Sequence, residues 1–142
     1  MKNKNITFGV LGYGKMGKIR HQTLSEMSHC NVVAVYESNE TIITPSNIER
    51  VNSAEKLINS PEIDAIVIAV PNYLIKKYVI KSLTLGKHVF CEKPPGMNLE
   101  ETLLMKDAVK ESECKLMFGF NHRYHQSMIK AKEAIDSGKY GK

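Results

Sequence analysis

Apolar positions along the chain alternate between two rhythms. Short continuous apolar runs rich in β-branched and aromatic residues, at Ile6–Leu11, 32–36 and 65–70, read as strands buried on both faces. Together with weaker runs they predict strands over 6–11, 31–36, 65–70, 87–91 and 115–120, and 41–44 also reads as a short strand, which Pro45 breaks. Between the runs, apolar residues recur at helical spacing, which predicts helices over about 15–28, 53–58, 73–85, 98–112 and 126–137. Ser53 and Asn98 stand at N-cap positions, Glu101 completes a capping-box pattern, and Gly86 and Gly138 close the third and last helices. On the first helix Met16, Ile19, Leu24 and Met27 share one side and read as core. Strand–helix alternation throughout predicts a parallel sheet with helices on both faces.

The first strand runs into Gly12-Tyr13-Gly14-Lys15-Met16-Gly17. An apolar strand followed by three glycines at this spacing and then a helix is the dinucleotide-binding pattern of a Rossmann-type, doubly wound α/β domain. Gly12 turns the chain off the strand, Gly14 leaves room for a pyrophosphate, and Gly17 lets the helix lie close to the strand. The helix N-terminus offers unpaired N–H groups and a positive dipole end. Glu37 ends the second strand 20 positions after Gly17, where an acid meets the ribose hydroxyls. Glu37 would repel a 2′-phosphate, and Ser38 and Asn39 follow it rather than an arginine, so NAD is expected over NADP. The alternative is a tight turn without a ligand. His21 lies one turn beyond the glycines, near the phosphates or in a packing role.

Ligands of such sheets bind past the carboxyl ends of the strands. Four polar segments meet there, 12–17, 37–38, 71–72 and 92–94, and 121–123 should reach the same edge. At 142 residues the chain suits one domain. The first five residues are polar and lack the apolar centre of an export signal, so a cytoplasmic protein is expected. Three distant cysteines without a CxxC pair read as reduced thiols, and no metal site is expected. The net charge of +5 is spread out; its densest group, Lys76, Lys77 and Lys81, reads as a solvated helix face rather than a nucleic-acid patch. No apolar run is long enough to span a bilayer.

The segments Gly86-Lys87-His88-Val89-Phe90-Cys91-Glu92-Lys93-Pro94, 64–72 and 119–124, with the glycines before them, closely resemble the Gfo/Idh/MocA oxidoreductases over nearly the whole chain. These are NAD(P)-dependent dehydrogenases of sugars, inositols and related hydroxyl compounds. The resemblance implies that Gly12, Gly14, Lys15, Met16 and Gly17 contact the pyrophosphate. It implies that Glu37 takes the adenosine ribose and that Pro71, Asn72 and Glu92 line the cofactor groove. Lys93, the one catalytic candidate, would face the nicotinamide and the substrate hydroxyl, with a cis Lys93–Pro94 bond aiming it.

Ile75 stands where many members carry histidine, so whatever that histidine does near the cofactor is not done by this position. The family also has a second α/β domain that shapes the substrate pocket and often the oligomer. Residues 126–142 read as the last helix and the start of a link to it. The chain alone is therefore expected to bind cofactor without turning substrate over, and to expose an apolar former partner surface prone to self-association. Two other classes stay open: a stand-alone NAD-binding sensing or interaction module, and a methyltransferase, whose glycines usually follow a strand-end acid where this chain has Val10-Leu11.

Overall fold

The computed structural model describes residues 5–141. The polar start of the chain before Asn5, and Lys142, lie outside the described residues. The elements in order are β1 (Ile6–Leu11), α1 (Lys15–Ser25), β2 (Cys30–Tyr36), β3 (Glu49–Arg50), α2 (Ala54–Asn59), β4 (Ala65–Ile68), α3 (Asn72–Thr84), β5 (His88–Cys91), α4 (Leu99–Lys110), β6 (Leu116–Phe118), a 3₁₀ turn (Asn121–Tyr124) and α5 (Gln126–Asp136). The six strands form one parallel sheet in the order β3-β2-β1-β4-β5-β6. The first strand of the chain is thus central, and the order in which the chain adds strands reverses between β1 and β4. This is the doubly wound α/β architecture.

The core explains the apolar runs. All four residues of β4 are buried, because helices or neighbouring side chains cover both its faces. On one face Leu57 and Ile58 of α2, Ile75, Val79 and Leu83 of α3, and Met105 of α4 pack with Leu11, Ile66 and Ile68. On the other, Leu24 of α1 packs with Val10, Tyr13, Val32, Val35 and Val67. Ile75 is fully buried in the first cluster, so this position packs against the sheet.

Helix ends follow the expected caps. The Ser53 hydroxyl accepts the Lys56 N–H, and the Asn98 side chain accepts the Glu101 N–H. The box at Asn98 is shifted by one residue: Glu101 accepts the N–H of Met97 at 2.9 Å, not that of Asn98. Lys76 pairs with Glu101, and Lys77 and Lys81 approach Glu55. The lysine group is therefore part of a paired helix surface.

Two expectations fail. The third strand is Glu49–Arg50, not 41–44. Around Thr41 the backbone is taken by a local turn: the Asn39 side chain accepts both the N–H and the hydroxyl of Thr41. Such side-chain bonds compete with a ladder. The apolar side of α1 is core only in part: Leu24 packs on the sheet, whereas Ile19, and Met27 just past the helix end, do not. Ile19 and Met27 are 40% and 44% exposed, and Gly17 is the only buried α1 residue. The helix approaches the sheet through the backbone at Gly17. Leu24 and Met27 border an open apolar groove of about 470 Å³, shared with Phe8, Val67, Phe90 and Met117.

Candidate cofactor site

Strand register builds the site. Tyr36, Leu11, Ile68, Cys91 and Phe118 form one row across the sheet. The residues that follow them, Glu37, Gly12, Ala69, Glu92 and Gly119, therefore emerge side by side at the carboxyl edge. A run of backbone bonds fixes this second row: Gly12 N–H to Tyr36, Ala69 N–H to Leu11, Glu92 N–H to Ile68 and Gly119 N–H to Cys91, all at 2.8–2.9 Å. Residues distant in sequence are thus aligned by the sheet itself.

Gly12 has φ +90°, and a Cβ there would press on the Ala69 carbonyl. Gly14 is the N-cap of α1; it has no side chain to cap the helix, and a Cβ built on it meets nothing within 4 Å. The first-turn amides at Lys15, Met16 and Gly17 have no intrahelical acceptors. The first turn carries no acid, and Lys15 and Lys18 are exposed beside it. Open space, free donors and positive charge together fit a pyrophosphate.

Glu37 is held against this turn. One carboxylate oxygen accepts the Tyr13 N–H at 2.7 Å and the other the Asn39 N–H at 2.9 Å. The acid is thereby fixed beside the glycines, with acceptor capacity left for ribose hydroxyls. Arg50 approaches the same loop, but its guanidinium donates to the carbonyls of Ile42, Glu37 and Asn39 at 2.7, 3.1 and 2.9 Å. This clamp shapes the loop and commits the arginine. Tyr13 is buried, and its hydroxyl lies 2.5 Å from His21 Nδ1. His21 thus packs against the glycine turn, and burial lowers its pKa.

A second cavity, about 670 Å³, opens at the same edge. Met16, Val70, Glu92, Lys93, Gly119 and Asn121 are among its lining residues. His122, Arg123 and Met128 also line it, and the cavity's extension to α5 was not foreseen. Pro71 and Asn72 stand exposed at the head of α3, one step beyond the lining residues Ala69 and Val70. The Lys93–Pro94 bond is cis. Lys93 is exposed and pairs with no side chain among the described residues, so its ammonium is available to a ligand. Glu92 is 7% exposed and paired with Arg20 of α1, a residue the sequence had not singled out. Among the described residues no cluster of three or more His, Cys, Asp or Glu could hold a metal ion.

Cys91, next to Glu92, is fully buried. Burial, and after it the Glu92 charge, pushes its thiol up to about 12. It stays protonated and inert at neutral pH. Alkylation of the folded protein at pH 8, read by mass spectrometry, should modify half-buried Cys30 and Cys114 first and leave Cys91 until unfolding.

Fold and site define an α/β domain built to bind a dinucleotide. Residues 6–120 match the family described as "Oxidoreductase family, NAD-binding Rossmann fold", and the chain belongs to this Gfo/Idh/MocA family. It is 31% identical to an uncharacterized oxidoreductase, YrbE, of Bacillus subtilis, over 97% of this chain and 42% of that protein. It is 30% identical to inositol 2-dehydrogenase of Rhizobium meliloti, over 96% of this chain and 42% of that enzyme. The crystal structure of apo scyllo-inositol dehydrogenase from Lactobacillus casei superimposes with a TM-score of 0.85 at 27% identity, covering 99% of this chain and 44% of that one. The chain thus spans about two fifths of the length of these relatives. No helix among the described residues is long and apolar enough to cross a membrane.

Proposed function

We propose that this chain is the cofactor-binding part of an NAD-dependent dehydrogenase acting on a sugar, an inositol or a related hydroxyl compound. The observation that carries the reading is the in-register row at the carboxyl edge, which sets Glu37, Gly12, Ala69 and Glu92 along one line with Lys93 next in the chain. The amides of Lys15, Met16 and Gly17 hold the pyrophosphate over Gly14. Glu37 accepts the ribose hydroxyls, and the cavity beside Lys93 receives the nicotinamide end. Pro71 and Asn72 border the groove at the head of α3. When bound, the nicotinamide accepts or gives hydride. Lys93 hydrogen-bonds the substrate oxygen and moves its proton. The relatives' names support the substrate class.

The preferred form is NAD, because Glu37 is fixed by two backbone N–H groups and Arg50 is committed to carbonyls. In the family a further α/β domain builds the outer wall of the substrate pocket and often the oligomer contact, and the substrate would meet this cofactor half through such a domain. Free cysteines fit a reducing cytoplasm.

Calorimetry tests the reading. NADH is expected to bind at least about tenfold tighter than NADPH, roughly 1.4 kcal/mol. Glu37→Ala should narrow that gap, since the charge that repels the 2′-phosphate is gone. In a thermal-shift comparison NADH should stabilise the protein and S-adenosylmethionine should not. Equal or tighter NADPH binding counts against the preference, and stabilisation by S-adenosylmethionine alone favours methyl transfer.

A further inference from the structure

Arg20 lies in the middle of α1, the helix that follows the glycine turn. Its Nε donates to Glu92 at 2.7 Å, and its terminal nitrogen lies 2.6 Å from the same carboxylate oxygen. That terminal nitrogen also donates to the Asn121 side chain at 3.2 Å. The guanidinium stacks on Phe90 of β5, 4.9 Å from the ring centroid. The two charged side chains are only 17% and 9% exposed.

Glu92 has little freedom of its own. Its carboxylate packs on Gly119, where a Cβ would lie 3.2 Å from it, and its N–H is bonded to Ile68. On the far side, the loop is tied to α4 by the Thr102 hydroxyl, which donates to the Pro95 carbonyl at 2.5 Å. Lys93 thus sits between two anchors, one on α4 and one on α1. Only the α1 anchor touches the cavity wall on both strands, through Glu92 after β5 and Asn121 after β6.

We propose that Arg20 is a positioning residue: through Glu92 and Asn121 it holds Lys93 and the cavity wall at a fixed distance from the pyrophosphate turn, so that one helix sets the spacing between the two ends of the cofactor. This inference rests on the cofactor site proposed above. A fork-shaped guanidinium is needed, because a lysine could keep the charge but not bond Glu92 while reaching Asn121 and stacking on Phe90.

The test separates the two halves of the ligand. ADP-ribose carries the adenosine and pyrophosphate but no nicotinamide. Wild-type protein, Arg20→Lys, and Arg20→Met combined with Glu92→Gln are titrated with NADH and with ADP-ribose, following nicotinamide fluorescence and heat. The double variant leaves no unpaired buried charge, so it guards against a single variant that fails to fold. Arg20→Lys and the double variant are expected to weaken NADH about tenfold, the scale of one charge-assisted hydrogen bond, and to lose the fluorescence gain of the bound nicotinamide. ADP-ribose affinity should stay within about twofold of wild type. Equal weakening of both ligands, or of neither, in the folded variants overturns the positioning role. If wild type binds neither ligand, the cofactor site itself is refuted and the positioning role falls with it.

Discussion

Gly17→Ala is expected to lower the stability of the protein by about 3 kcal/mol, the upper end of ordinary overpacking. A Cβ at this position would run into the carbonyl oxygen of Gly12, lie 3.0 Å from its carbonyl carbon and touch Val10 at 3.4 Å. Those obstacles are mostly backbone, so no side chain can swing away to make room. Gly12 cannot yield either: it sits at φ +90° against the Ala69 carbonyl, between the two strands at the sheet's switch point. Relief would require lifting α1 from β1, which opens the cluster of Val10, Tyr13 and Val67. For a domain of this size the melting temperature should fall by on the order of 10 °C. Thermal unfolding followed by circular dichroism reads this directly. A variant that melts within a degree or two of wild type would show that the helix can shift without cost.

Gly14→Val is expected to do the reverse: keep the fold and lose the cofactor. The backbone there is ordinary, with φ −69° and ψ −162°, and a Cβ meets nothing within 4 Å. Valine is a poorer N-cap than glycine, which should cost about 0.5–1 kcal/mol of stability. The branched side chain would fill the space over the helix N-terminus that a pyrophosphate needs in order to reach the free amides. NADH affinity should fall by at least about 100-fold, roughly 2.7 kcal/mol, while the melting temperature moves by only a few degrees. Calorimetry on a variant shown to be folded decides it. Wild-type affinity would mean that the phosphates lie elsewhere.

The contrast between these glycines was readable in kind. Gly12-x-Gly14-x-x-Gly17, the buried run of β4 and the caps at Ser53 and Asn98 are local signals, and each produced the element it announced. Glu37 was equally legible, because register carries β2 to the same edge as β1. What escaped depends on partners far apart in sequence. Arg20 and Glu92 are 72 positions apart, and nothing in either neighbourhood marks them as a pair. The β-branched residues at 42 and 43 suggest a strand, yet Arg50 bonds the Ile42 carbonyl and Ile43 is 84% exposed. The apolar side of α1 obeys helical periodicity but meets an open groove, because the close approach at Gly17 fixes where the helix lies.

The row of strand ends ties ligand binding to folding. Glu37, Gly12 and Glu92 leave three different strands, and they come together only when β2, β1, β4 and β5 are paired in register. A half-paired chain does not align these residues, so a dinucleotide that needs them would stabilise the native state by an amount that grows with the logarithm of its concentration over its dissociation constant. By mass action, ligand at 100 times its dissociation constant would add about 2.7 kcal/mol, comparable with the cost of a misplaced methyl at Gly17. A bound nucleotide would then widen the range of sequence changes the sheet tolerates before it opens.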